Sequence, residues 1–252
     1  MNYNIIDSAK PKTVTVITPT TGSVKLDDAI ESVKNQTYKN LQHLIVIDGP
    51  EALDNLHNNV PLRPTPHRLS SYVLHENTGG NGLNGQRIYA AFPHLINSDY
   101  IFFLDQDNWY EPNHVESLVA LMEQNNLDWA YSLRRIYTVD KQYVAHDNCE
   151  SLGKWPIYFS HDNPQYLIDT SAFAFRKDFI QRTCHLWHSG PWGEDRRYLH
   201  AVKNVSKWDT TREHTLCYRL DGNPNSVTRD FFIEGNEVMR MKYNNEFPWS
   251  KK

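Results

Sequence analysis

Apolar positions in the first half of the chain fall into two alternating rhythms. Short continuous apolar runs, Val14 to Ile17 and Leu41 to Ile47, read as strands buried on both faces. Between them a turn through Pro19 and Gly22 leads into Leu26, Ala29, Ile30 and Val33 at helical spacing, which completes a βα unit. A weaker third strand is predicted from Ser71 to His75, after a proline-rich connection from Val60 to Pro66. A helix follows over Gln86 to Ile96, then a strand from Tyr100 that runs into Asp105. Pro112 suits the first position of the next helix, whose Val115, Leu118, Val119 and Met122 form one face. Such alternation predicts an α/β fold with a mostly parallel central sheet whose loops gather at one edge. Beyond Asn126 the rhythm changes to strands at Trp129 to Tyr137 and Ala172 to Phe175, aromatic-rich connections, and a helix over Asp195 to Val202.

The strand ending at Leu104 delivers Asp105 and Asp107 with one residue between them. If the extended conformation continues past Leu104, both carboxylates point to one side. Paired hard oxygens suit Mg²⁺ or Mn²⁺, and such an ion also grips substrate phosphates. Taken alone, a motif of this kind reads first as a solvated turn after a core strand. A second acidic pair, Glu194 and Asp195, stands where a glycine-containing loop becomes a helix, a place where acids also serve simply as first-turn charges. Its separation from the first pair allows a division of labour, with one pair holding an ion and a distant carboxylate acting as general base. His214, one of 12 histidines, gains interest only as a nitrogen completing an oxygen-rich Mn²⁺ shell.

Composition narrows the class. With 252 residues and 39% hydrophobic content the chain can bury one substantial core, so residues 1–252 are expected to form a single unit. A net charge of −4 leaves no electrostatic footprint for nucleic acid. No apolar run approaches the roughly 20 residues of a membrane span, and the first residues lack a secretory pattern. These features predict a cytoplasmic protein, one that an acceptor could hold at a membrane surface. Cys149, Cys184 and Cys217 are too scattered for a disulfide framework or a zinc site, and are expected to be reduced thiols. Two sequons, at Asn35 and Asn204, are read as chance matches. Oligomeric state is not legible.

Gly80, Gly82 and Gly85 match the dinucleotide-binding fingerprint G-x-G-x-x-G, with Asp105 at about the distance of a ribose-binding acid. An NAD-dependent oxidoreductase is therefore one alternative. Against it, the preceding strand is short and two βα units come before it; a glycine loop shaped for close approach to a ligand is the preferred reading. A non-enzymatic carbohydrate-binding module is another alternative, with Trp155, Tyr158, Phe159, Trp187 and Trp192 in loop-like sequence, although most such aromatics pack in cores. The stretch from Lys141 to Asn163 is irregular enough to serve as an acceptor gate that orders on binding.

Val14 to Thr20, Ile45 to Gly49, Asn77 to Arg87, Asp105 to Asp107 and Trp192 to Asp195 occur in the order that resembles the GT-A-fold glycosyltransferases of family 2, over about residues 12–220. The resemblance implies a Rossmann-like donor half, about residues 12–110, and a mixed acceptor-side half, about 111–252, that carries the catalytic base. It implies an inverting, metal-dependent transfer from a nucleotide diphosphate sugar, a UDP-sugar foremost, to a hydroxyl of a glycan or glycoconjugate, with Mn²⁺ or Mg²⁺ as cofactor. By position Thr18 and Pro19 would line the nucleotide pocket, Asp48 would contact the base, and Arg87 would lie near the base or diphosphate. Asp105 would meet ribose or metal, and Asp107 would be the principal metal ligand. Asp195 would be the base, Glu194 an acceptor contact, Trp192 a platform for the sugar, and His214 a further ligand to metal or diphosphate. Departures stand at Asn108, where the family often has a third acid, at Ile88, where it often has an asparagine, and in the longer glycine loop.

Overall fold

A computed structural model describes residues 11–59, 68–159, 163–222 and 226–250. The chain runs through β1 (Val14–Thr20), α1 (Leu26–Lys34), β2 (Leu41–Ile47), α2 (Pro50–Asn59), β3 (Arg68–Val73), α3 (Gln86–Ala91) and β4 (Tyr100–Phe103). It continues through β5 (Trp109–Tyr110), α4 (His114–Asn125), β6 (Trp129–Tyr137), β7 (Tyr143–His146), β8 (Phe173–Arg176), α5 (Lys177–Thr183), α6 (Glu194–Val202), β9 (Trp208–Arg219) and α7 (Arg229–Lys242).

All the strands join one sheet in the order β3-β2-β1-β4-β8-β6-β9-β5, with β7 added on β6. From β3 to β4 every pairing is parallel, so β1, β2, β3 and β4 all end at one edge. Antiparallel β8 then couples β4 to β6, and β9 lies parallel to β6, giving the mixed second half. Every residue of β1 and β4 is buried, as expected of parallel strands covered on both faces.

Local chemistry explains where elements differ from the sequence expectation. The helix predicted over Gln86 to Ile96 divides: α3 stops at Ala91, and Phe92–Leu95 tightens into a 3₁₀ turn because Pro93 offers no amide for the α ladder. Pro112 stands two residues ahead of α4 rather than inside it. There Gln36 acts as a cap from a distance, its Oε1 accepting from the Val115 amide at 3.0 Å and its Nε2 donating to the Glu111 carbonyl at 2.8 Å. β3 lies earlier than predicted, at Arg68–Val73, and the Val60 to Pro66 connection lies outside the described residues. α2, β9 and α7 were not anticipated by periodicity.

The stretch from Lys141 to Asn163, expected as an irregular gate, carries regular structure where it is described. Tyr143–His146 is a strand, and the buried Asp147 carboxylate accepts from the amides of Cys149, Glu150 and Ser151, each at 2.9 Å. A sealed charge needs that saturation, and it locks the backbone around it; residues 160–162 lie outside the description. Most of the aromatics expected in loops are likewise core or packed. Trp187 is fully buried and stacks on Tyr198 at 4.5 Å, while Trp155 packs against Trp249 at 5.4 Å and Tyr158 against Phe231 at 5.2 Å. Trp192, in contrast, is 67% exposed. All three cysteines are free and buried.

Candidate active site

Loops after β1, β2, β3 and β4 enclose a cleft of 240 Å³ whose wall includes Pro19, Thr20, Asp48, Gly79, Gly85 and Gln106. Asp48 shapes this wall from within. Its Oδ1 accepts from the Thr78 amide and hydroxyl at 2.8 Å, and its Oδ2 from Asn77 Nδ2 and the Gly79 amide at 3.0 Å. Those donors take up the roughly four acceptor sites of a carboxylate, so Asp48 anchors the Asn77–Gly79 loop from the cleft wall.

Other positions expected at the donor separate clearly. Pro19 lines the cleft, and Gly85 lies so close that a Cβ there would stand 2.9 Å from the Pro19 ring. Thr18 instead sits beneath it, fully buried, with its hydroxyl on His43 Nε2 at 2.8 Å. Arg87 is exposed on α3 and turned toward His188, at 3.5 Å. Its neighbour Gln86 is the inward residue: Nε2 donates to Glu194 Oε2 at 3.1 Å while Oε1 is buried without a partner.

β4 ends at Phe103, and Asp105 to Asp107 form a turn closed by the Asn108 amide on the Asp105 carbonyl at 3.2 Å. The expected extension past Leu104 is therefore replaced by a turn, because Gln106 is drawn back onto β1: its Oε1 accepts from the Thr20 hydroxyl at 2.7 Å and the Thr21 amide at 3.1 Å. Asp105 accepts from Tyr89 Oη at 2.8 Å and Ser171 Oγ at 3.0 Å. Burial pushes its carboxyl up to about 8, assisted by the charges of Asp169 and Asp107. Asp107 is also raised, by burial first, against the pull of Lys25.

Asp169 is the residue that sequence reasoning missed. It follows the buried pair Leu167 and Ile168, just as Asp48 follows β2 and Asp105 follows β4, and an apolar run ending in aspartate was the available signal. Its carboxylate accepts from Arg134 Nη1 at 2.6 Å and from the Ser171 amide at 2.9 Å, and its charge acts on Asp105, Asp107, Glu194 and Asp195 alike. Burial, then the Glu194 charge, lifts the Asp195 carboxyl to about 7. Glu194 is raised as well, chiefly by burial. Both acids occupy the first turn of α6, which begins after Gly193 in the left-handed region. Donor-edge and α6 carboxylates thus share one electrostatic neighbourhood.

Trp192 leans on the glycine loop, its amide donating to the Gly82 carbonyl at 3.3 Å. His214 lies on β9, paired in register with Leu133 of β6. It stacks on His146 at 4.1 Å, and burial, then His146, depresses it to about 4. Among the described residues no three His, Cys, Asp or Glu side chains are grouped to hold a metal ion. The donor set of Asp105 and Asp107 nonetheless fits a hard divalent cation: two oxygen ligands, with neighbouring acids whose mutual repulsion a cation relieves.

A parallel sheet edge bearing this cleft, joined to a mixed half that supplies the second acidic pair, defines a GT-A architecture. The family model "Glycosyl transferase family 2" matches residues 15–183, and the chain belongs to that family. It is 31% identical over 99 residues to a glucosyl-dolichyl phosphate glucuronosyltransferase of Haloferax volcanii, a stretch covering 39% of this chain and 29% of that relative. S. aureus TarS 1–349 in complex with UDP-GlcNAc superposes with a TM-score of 0.56 at 12% identity, over 92% of this chain and 67% of that one. The same TarS segment with UDP gives 0.54 at 13%, again over 92% of this chain and over 66% of that one. The chain thus spans under a third of the curated relative and about two thirds of the solved segment. The glycine loop fits this family rather than a dinucleotide-binding one, since it follows β3, the edge strand, and not a central first strand. Among the described residues no helix is long and apolar enough to cross a membrane.

Proposed function

We propose that this chain transfers a glycosyl group from a nucleotide diphosphate sugar to a hydroxyl of a glycan or glycoconjugate, with inversion at the anomeric carbon. The observation that carries the reading is Asp195, a carboxyl lifted to about 7 within the electrostatic neighbourhood of the donor-edge acids. A carboxylate of that basicity accepts a hydroxyl proton near neutrality far better than an ordinary one. In the proposed step the acceptor oxygen bonds to the anomeric carbon, the bond from that carbon to the diphosphate breaks, and the hydroxyl proton ends on Asp195. Attack from the α6 side, opposite the diphosphate held at the sheet edge, inverts the centre.

Around that step each residue has a task. Pro19, Gly85 and the Asp48-anchored loop shape the cleft for the nucleoside. Gln86 steadies Glu194 for the acceptor, and Trp192 offers an exposed face to the sugar at the rim. Asp107 and Asp105 would hold Mn²⁺ or Mg²⁺, which when bound supplies Lewis-acid stabilisation of the leaving diphosphate. UDP is the first nucleotide to test, being the one in the TarS complexes.

The test is a thermal-shift panel of UDP, GDP, TDP and CMP with and without Mn²⁺, followed by the anomeric configuration of any product by NMR. A Mn²⁺-dependent shift with one nucleotide, absent in Asp107→Asn, and an inverted product are expected. A retained anomeric configuration, or nucleotide binding indifferent to both Mn²⁺ and Asp107→Asn, would overturn the reading.

A further inference from the structure

A cavity of 580 Å³ lies away from the donor cleft, on the flank of α6 facing the segment 163–166. Its walls carry Arg196, Arg197, His200 and Lys203 on one side and Pro164 and Tyr166 on the other. We propose that this cavity binds an anionic group of the acceptor, a phosphate or a sugar carboxylate, and so selects charged acceptor glycans. The inference builds on the reading of Asp195 as the base.

Position comes first. α6 begins with Glu194 and Asp195, and the cavity is lined by Arg196, His200 and Lys203 of the same helix, starting one residue after Asp195. At 1.5 Å per residue, Lys203 lies about 12 Å along the axis from Asp195. An acceptor resting in the cavity can therefore present a hydroxyl to Asp195 while a separate part of it meets the cations.

Charge comes second. In a chain of net charge −4, this wall concentrates cations, of which Arg196 and Arg197 also act on the first-turn acids Asp195 and Glu194. Arg196 meets Glu150 at 3.5 Å, but Glu150 is already held by Arg134 at 2.5 Å. The Arg197 guanidinium donates to uncharged oxygens, the carbonyls of Gly190 and Trp192 at 2.6 and 2.5 Å and Ser189 Oγ at 2.9 Å. Lys203 lies 4.2 Å over the Tyr166 ring, which leaves its ammonium without a carboxylate among the described residues. An ordinary solvated helix face carries such cations on a convex surface. Here they stand around a concavity with an aromatic wall, a combination that suits a charged sugar: anion to the cations, ring to Tyr166.

Ligand-observed NMR on the full chain, at fixed ionic strength, tests the idea with sn-glycerol 3-phosphate, glucuronate and glucose. Saturable binding of one or both anions and none of glucose is expected, the two anions separating a phosphate site from a carboxylate site. Lys203→Glu should weaken anion binding about tenfold or more, the scale of one charge-assisted hydrogen bond, and Lys203→Arg should restore it. Asp107→Asn should bind the anions as wild type does, so loss of the donor reading and loss of this one are told apart. If a melting curve shows Lys203→Glu unfolded, Arg196→Gln is read in its place. Equal binding of glucose, or anion binding unchanged by the substitution in a folded variant, would overturn the proposal.

Discussion

Arg134 donates from Nη1 to Oδ2 of Asp169 at 2.6 Å, and through this bond a sealed ionic network in the second half of the fold fixes an acid that faces the first half. The same guanidinium binds Asp147 through Nε at 2.7 Å and Glu150 through Nη2 at 2.5 Å, with the Tyr218 ring 4.4 Å away. Three carboxylates therefore depend on one buried cation. Removing one member of such a network strands the others, typically at about 3–5 kcal/mol. Arg134→Leu should lower the urea-unfolding free energy by about that much or prevent folding, and Arg134→Lys should fall between it and wild type because an ammonium cannot reach all three acids in a planar fork. A loss under about 1 kcal/mol for Arg134→Leu would mean the acids find other partners.

Asp195 supports a prediction about rate and pH together. Asp195→Asn should cut the transfer rate by about 10²- to 10⁴-fold while leaving nucleotide binding unchanged, because the donor cleft does not include it. In the wild type, kcat/KM should rise with pH through about 7, as the raised carboxyl loses its proton and becomes a base. The stability consequence has the opposite sign: a folded carboxyl that holds its proton more tightly than the unfolded chain loses stability as pH climbs from the ordinary range near 4 toward 7. Asp195→Asn should therefore gain stability relative to wild type across that window, measured as the difference in melting temperature at several pH values. An acidic limb that persists in the residual activity of Asp195→Asn would assign the ionisation to another group.

Gly82 and Gly80 make a matched pair for the glycine loop. A Cβ on Gly82 would stand 2.5 Å from Trp192 Nε1, and its φ of +77° is strained for any side chain, whereas a Cβ on Gly80 meets nothing closer than 3.7 Å. Gly82→Ala should release the Trp192 amide from the Gly82 carbonyl, seen as faster hydrogen exchange at Trp192, and should raise the KM for donor. Gly80→Ala should do neither. Equal exchange in the two variants would detach Trp192 from the loop's conformation.

How much of this was legible in the sequence follows from burial. β1, β2 and β4 are covered on both faces, so they stand out as apolar runs, and the aspartates at their ends stand out with them. α2 buries only Ala52 and Leu56, too little to print a helical stripe, and α7 buries Phe232, Gly235 and Met239 amid a polar surround. β9 has no clean alternation because it bends at Arg212, where φ is +60°, and its register against β6 shifts between Tyr131 and Arg134. At the candidate site, chain-local signals singled out Asp105, Asp107, Glu194 and Asp195. Asp169 and Gln86 gain their meaning from partners 35 and 108 residues away, a relation that spacing does not record.

Two buried histidines, one in β2 and one at the start of α4, offer a test of the core itself. His43, bonded to Thr18, and His114, stacked on Tyr110 at 3.7 Å and bonded to Thr215 at 2.9 Å, are both held neutral by burial, which depresses each to about 3. An unfolded imidazole takes its proton near 6.5, so between that value and about 3 the unfolded chain binds protons that the fold refuses. Stability attributable to each histidine is whole above pH 6.5 and is lost as pH falls, by about 1.4 kcal/mol per unit. Raised carboxyls such as Asp195 work in the other direction over part of the same range, so the wild-type curve alone does not isolate the histidines. His43→Gln does: whatever it costs at pH 7, its stability relative to wild type should improve by about 1.4 kcal/mol for each unit the pH drops below 6.5. Urea unfolding at pH 7, 6 and 5 reads that difference, and a gap independent of pH would place the His43 proton inside the folded protein.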